Sequence, residues 1–271
     1  MSTPDQQHEF CIDSDMQQPS QSQLLRGAVV VSTRCPEKPT ANEDTAAIIA
    51  HSGGGLLLVV ADGMGGASAG DRAAKITVET LSEAVAKLPP DNNLRSAVLD
   101  GIEEANRRVL DLKLGAGCTL AVVELQENVA RPYHVGDTAI AIFGQRGKLK
   151  LATASHSPVG MAVEAGMLND EEAMHHEDRH LVTNAVGLQE MRIEIGPPIR
   201  LSPLDTLVIA SDGLFDNLHL CEIVDTLRTG RLLDSVGQMA TLAMQRMVDP
   251  HPGEPSKPDD LTAIAYRPSA Q

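Results

Sequence analysis

Between residues 74 and 112 two helical periodicities follow one another with no strand between them, and this tandem limits the folds open to the chain more than any other feature. Ala74, Val78, Leu81, Val85 and Leu88 step by four and three, which puts them on one helix face, and Pro89-Pro90 ends that helix. Leu94, Val98, Gly101, Ala105, Val109 and Leu112 repeat the pattern, with Asp91 or Asn92 as the expected N-cap. Strand-like runs precede the pair at 27–33, 44–50 and 56–61, the last two joined through Ser52-Gly53-Gly54-Gly55 as a hairpin. Further runs follow at 119–125, 129–135, 139–143, 148–152, 192–195 and 206–211. A second helical pair covers 218–229 and 232–247, and a last strand covers 261–266. Helices grouped in pairs among many strands predict an α+β layered architecture rather than alternating βαβ units.

The core must be aliphatic, because aromatic residues make up 2% of the 271-residue chain and Trp is absent. A formal net charge of −15 argues against nucleic acid or an anionic membrane surface as the main partner. Cys11, Cys35, Cys118 and Cys221 are scattered without a C-x-x-C pair, so they read as free thiols of a reducing compartment. With no signal-like start and no long apolar run, the expected location is the cytoplasm. Residues 1–24 are polar and read as a disordered tail, and 25–271 as one domain. Segment 153–192, rich in Glu, Asp, His and Met, reads as a flap over that domain.

Four aspartates stand at the ends of apolar runs or in turns beside them: Asp62 after Leu57–Ala61, Asp137 after Val135-Gly136, Asp212 after Leu207–Ser211, and Asp259 before the last strand. A buried carboxylate is costly unless something positive meets it. Lys and Arg are absent from the sequence neighbourhoods of Asp62 and Asp212. Converging acidic groups without basic partners are what a hard divalent cation requires. Read singly, each Asp-Gly is equally an ordinary turn.

Read in order, the motifs are specific. Asn42-Glu43-Asp44, Asp62-Gly63-Met64-Gly65-Gly66, Gly117-Cys118-Thr119, Val135-Gly136-Asp137-Thr138, His156-Ser157, Ser211-Asp212-Gly213-Leu214-Phe215-Asp216 and Asp259-Asp260-Leu261-Thr262 resemble the successive motifs of the PPM (PP2C-type) protein phosphatases over roughly 27–267. Met64 is similar to the bacterial branch. The resemblance implies a central antiparallel β-sandwich flanked by antiparallel helix pairs, with a metal centre at one end. It implies Mn2+ or Mg2+, two or three ions, and hydrolysis of phosphoserine and phosphothreonine on proteins by a metal-activated water. Asp62 would bridge two metals, the Gly63 carbonyl would bind one, and Asp212 and Asp259 would hold the other. Glu43 and Asp44 would hold water bound to the metals, and Asp137 with Asp212 would bind a third, weaker ion. Phosphoproteins, and a cognate Ser/Thr kinase acting on the same substrates, are the implied partners.

Several positions depart from that pattern. Pro39 stands where the family carries a phosphate-gripping Arg, and Arg34 and Lys38 are the nearby cations that could take its place. Ser155-His156-Ser157 and Thr183-Asn184-Ala185-Val186-Gly187 lack an Asp and an Arg of the family pattern, and Ala139 replaces another Arg. These losses keep open a catalytically weak regulatory module, and a hydrolase of small phosphate esters is a third reading. His176 and His180, beside His175, have the i, i+4 spacing of a transition-metal pair or, equally, of exposed polar groups.

Overall fold

In the computed structural model, which describes residues 8–64 and 69–268, two antiparallel sheets face each other. The first runs β1 (His8–Ile12), β4 (Thr45–Ala50), β5 (Leu56–Met64), β6 (Gly117–Gln126), β7 (Val129–Val135) and β10 (Glu194–Ile195), with β11 (Ile199–Arg200) also paired to β7. The second runs β2 (Ser20–Gln21), β3 (Ala28–Thr33), β13 (Leu261–Tyr266), β12 (Thr206–Ala210), β8 (Ala139–Phe143) and β9 (Leu149–Ala152).

Strand side chains alternate between faces, and both faces of the central strands are covered, which is why β3, β4, β12 and β13 read as apolar runs. Ala46, Ile48, Leu58 and Val60 of the first sheet meet Val30, Ile140, Ile209 and Ile264 of the second in a middle layer. Their neighbours Ala47, Ile49, Leu57 and Val59 face outward onto α1 (Gly70–Lys87) and α2 (Leu94–Asp111). On the other side, Val29, Val31, Val208 and Ala263 pack under α6 (Leu220–Leu227) and α7 (Leu232–Val248). Each fully buried Leu, Ile or Val contributes about 1.5–3 kcal/mol. The result is the four-layer α-β-β-α order expected from the sequence.

The tandem helices form as their periodicity requires. The α2 N-cap is Asn93, just beyond both expected candidates, Asp91 and Asn92: its side chain accepts from the Arg95 N–H at 2.8 Å. Gly101 lets the helices close up, since a Cβ there would lie 3.0 Å from Leu81 Cδ2.

The expectation of a disordered tail over 1–24 is corrected for residues 8–24; residues 1–7 lie outside the described residues. β1 extends the first sheet along β4, and β2 extends the second along β3. An open sheet edge orders a polar segment through backbone hydrogen bonds, which hydrophobicity does not report. The Glu9 carboxylate ties the two parts, accepting from Ser22 Oγ at 2.6 Å and from the Gln23 and Leu24 amides at 2.6 and 3.1 Å.

Segment 153–192 carries α3 (Pro158–Glu164), α4 (Asp170–Met174) and a 3-10 turn, Glu177–His180. Its last part returns to the body: Ala185 and Val186 are buried, and Val186 exchanges backbone hydrogen bonds with Cys118 at 2.9 and 3.0 Å.

Candidate metal centre

The acidic residues converge at one end of the sandwich, brought there by three kinds of local structure. β5 continues past Ala61 to Met64, so Asp62 lies within the strand opposite Thr119, not at its end as the apolar run alone implied. Asp212 opens a short helix, α5 (Asp212–Phe215), directly after β12. Asp137 sits in the turn after β7, where Gly136 has φ 101°. Gly63 faces Gly70, and a Cβ at Gly63 would lie 2.4 Å from the Gly70 carbonyl carbon, so only glycine fits. The motif's Gly65 and Gly66 lie outside the described residues.

The charges of these groups act on one another. Burial raises the Asp62 carboxyl well above its ordinary range, and Asp44, Asp212, Asp259 and Asp137 push it further. Asp137 is pushed up to about 7 by burial and then by Asp212 and Asp216. Burial and then Asp212 lift Asp259 and Asp216 to about 6 each, against the pull of Lys257. Two oxygens, Asp44 Oδ1 and Asp212 Oδ1, are buried without any hydrogen-bond partner. A buried acceptor left this way costs about 1–3 kcal/mol, more if ionised. Orphaned carboxylate oxygens inside an acidic cluster fit a hard divalent cation.

Asp44 is held by its neighbours: Ser211 Oγ donates to its Oδ2 at 2.8 Å, and its own amide donates to Asn42 Oδ1 at 2.9 Å. Glu43 hydrogen-bonds differently from the sequence expectation. Its carboxylate accepts from Lys38 Nζ at 2.8 Å, while its amide donates to Asp260 Oδ2 at 2.8 Å. Lys38 also meets Asp260 Oδ2, at 2.5 Å. Although burial works against its charge, those hydrogen bonds raise the Lys38 ammonium above its ordinary range. Lys38 is thus engaged with two carboxylates rather than free to grip phosphate. Arg34 is half-exposed and lies 3.7 Å from Asp15.

The absence of basic residues near Asp212 in sequence does not hold in space. Lys257, 45 residues away, forms an ion pair with Asp212 Oδ2 and lies 3.0 Å from Asp216 Oδ2 and 3.5 Å from Asp259 Oδ2. Burial disfavours its charge, but Asp212 and Asp216 outweigh burial and raise its pKa. The signal was available, since Lys257 precedes Asp259 by two residues in the proline-rich loop.

Arg179, in the 3-10 turn, donates to the Ser256 carbonyl at 2.6 Å and so ties segment 153–192 to that loop. A cleft of about 910 Å3 opens between the segment and α6, with Asp137, Asp212 and Asp216 at one end and Ile140, Val163 and Phe215 along its walls.

The histidines are arranged otherwise. His176 precedes a 3-10 turn rather than lying in an α-helix with His180, so the two do not share an i, i+4 helix face; each bonds locally, to the Asp178 amide and Glu177 carbonyl. Among the described residues, His134, His156 and Glu194 form the group whose three ligand atoms lie within 4.8 Å of one another. Asn184 fixes the tautomer there. Its Oδ1 accepts from the Arg192 amide and its Nδ2 donates to the Arg192 carbonyl, so Nδ2 also donates to His156 Nδ1, at 2.9 Å. The Gly136 amide donates to the same nitrogen at 3.0 Å. The proton therefore sits on Nε2, which donates to Glu194 Oε2 at 3.1 Å and has no lone pair for a metal. The group braces the Gly136-Asp137 turn.

The family model described as protein phosphatase 2C matches residues 33–246. The protein phosphatase PhpP of Streptococcus pneumoniae is 31% identical over 197 residues, covering 70% of this chain and 79% of that one. The solved serine/threonine phosphatase of S. agalactiae superposes with a TM-score of 0.76 at 29% identity, over 89% of this chain and 98% of that one. The fold is also that of the catalytic domain of the serine/threonine protein phosphatase PstP, solved in complex with two manganese ions: TM-score 0.70, 24% identity, 90% and 98% of the two chains covered.

Proposed function

Because the chain belongs to the protein phosphatase 2C family, we propose that it hydrolyses phosphoserine and phosphothreonine on proteins with the help of bound Mn2+ or Mg2+. The observation that carries the metal requirement is the buried acidic cluster with two carboxylate oxygens left unpartnered, Asp44 Oδ1 and Asp212 Oδ1. Asp62, the Gly63 carbonyl, Asp212 and Asp259 would hold the ions, which when bound supply Lewis acidity and an activated water. Asp44, held by Ser211 and Asn42, would orient that water, and Glu43 would act on it with the carboxylate oxygen that Lys38 leaves free. The cleft beside segment 153–192 admits the phosphorylated side chain from the open side.

The partners are phosphoproteins and, by the logic of reversible phosphorylation, a Ser/Thr kinase acting on the same sites. Among the described residues no helix is long and apolar enough to cross a membrane, which is compatible with a cytoplasmic enzyme. Manganese-dependent release of phosphate from a phosphothreonine peptide tests the reading. Metal-independent turnover, or turnover untouched by Asp62→Asn, would overturn it.

A second reading, a weakly active regulatory module, is favoured by one observation: Pro39 offers no cation and Lys38 is engaged with Glu43 and Asp260. It predicts metal binding with phosphate release at background.

A further inference from the structure

Lys257 enters the acidic cluster as if it were one of its cations. Its ammonium has three N–H donors and no acceptor, and three carboxylates surround it: Asp212, Asp216 at 3.0 Å and Asp259 at 3.5 Å. The loop that carries it is held rigidly. Asn217, fully buried, accepts from the Lys257 amide and donates to the Lys257 carbonyl, both at 2.8 Å. On one side Ser256 Oγ donates to the Arg246 carbonyl at 2.7 Å, and Arg179 grips the Ser256 carbonyl. The lysine stem is thereby aimed at the carboxylates from a fixed backbone.

We propose that Lys257 is a tethered cation standing in for a metal ion at Asp212 and Asp216, which line one cleft with Asp137, so this chain binds no ion at that position. The inference rests on the metallophosphatase reading above and refines its metal count. Three features carry it. First, Asp212 divides its oxygens: Oδ2 goes to Lys257 and the buried Oδ1 has no partner, so one oxygen is left for a metal. Second, Asp216 Oδ2 is already committed to the ammonium. Third, a divalent ion and an ammonium compete for the same carboxylates and repel each other at this spacing. Asp137 is left without a metal to bind and serves as part of the acidic wall.

Native mass spectrometry of the full-length chain loaded with manganese, paired with calorimetric titration, reads the metal count directly. Thermal melts check that each variant is folded. Lys257→Met is expected to bind one more manganese ion per chain than the wild type, while Lys257→Arg, which keeps the charge, leaves the count unchanged. Asp137→Asn is expected to change nothing in the wild type but to remove the extra ion from Lys257→Met. An equal count in the wild type and Lys257→Met, or an ion lost from the wild type on Asp137→Asn, overturns the inference and leaves the metallophosphatase reading intact. A wild type that takes up no manganese strikes that underlying reading instead.

Discussion

Asn217 holds the backbone of Lys257 by both of its polar groups, accepting from the amide and donating to the carbonyl at 2.8 Å each. It also donates to the Gly213 carbonyl at 2.9 Å, so one buried amide links α5 to the loop before β13. Asn217→Ala leaves a buried amide and two carbonyls short of partners. The expected loss of stability is about 2–3 kcal/mol, read from urea unfolding with manganese chelated. An unchanged midpoint would mean that water replaces the side chain.

Replacing Asp62 by Asn should separate activity from apo stability. Turnover with manganese should fall by about 10³-fold, the loss expected when several kcal/mol of transition-state stabilisation disappear. The metal-free protein should become more stable, because a carboxylate pressed by Asp44, Asp212, Asp259 and Asp137 is replaced by a neutral amide. Melting curves in chelator, beside phosphopeptide assays, check both halves.

The same repulsion sets a pH dependence. Asp137 is raised from 3.8 to about 7, and Asp216 and Asp259 to about 6. For a group whose folded pKa is raised, its contribution to stability is fully present below the unfolded value and is lost as pH rises through the folded one. The metal-free protein should therefore lose stability between about pH 4 and pH 7. Asp137→Asn should flatten that slope and bound manganese should offset it. Denaturant midpoints across this range are the measurement, and a metal-free stability that rises toward neutrality in the wild type relative to Asp137→Asn would contradict the assignment.

His156 braces the turn that presents Asp137. His156→Ala removes the acceptor of the Gly136 amide and of Asn184 Nδ2, with an expected cost of about 1–3 kcal/mol. Amide hydrogen exchange should show faster exchange at Gly136 than in the wild type, whereas uniform protection would argue that the turn holds without the ring.

Gly63→Ala forces a Cβ to within 2.4 Å of the Gly70 carbonyl carbon and 2.8 Å of the Glu43 carbonyl oxygen. Backbone atoms cannot swing aside as a side chain can, so the expected cost is about 1–3 kcal/mol or more. Manganese affinity by calorimetry should fall with it, since β5 and the start of α1 separate there.

The layers were legible because periodicity is a property of contiguous residues. The tandem helices around Pro89-Pro90, strand β7 and strand β13 all appear where the apolar pattern put them. The order of residues 8–24 is not legible in composition, because the sheet edges that hold them belong to β4 and β3, and composition does not report pairing across the chain. Likewise the extension of β5 through Asp62 to Met64 follows from pairing with Gly117–Thr119 rather than from its own glycine-rich sequence.

At the metal centre, the sequence by itself determined the acidic inventory and its order, Asp62, Asp137, Asp212 and Asp259, as motifs that identify the family. Only the tertiary structure decided how those charges are balanced. Lys38 went to Asp260 and Glu43 rather than to open solvent, and Lys257 came to Asp212 and Asp216 from a distant loop. The reason is physical. Apolar periodicity is written in residues a few positions apart, whereas the partner of a buried charge is whichever group the finished fold brings within a few ångströms.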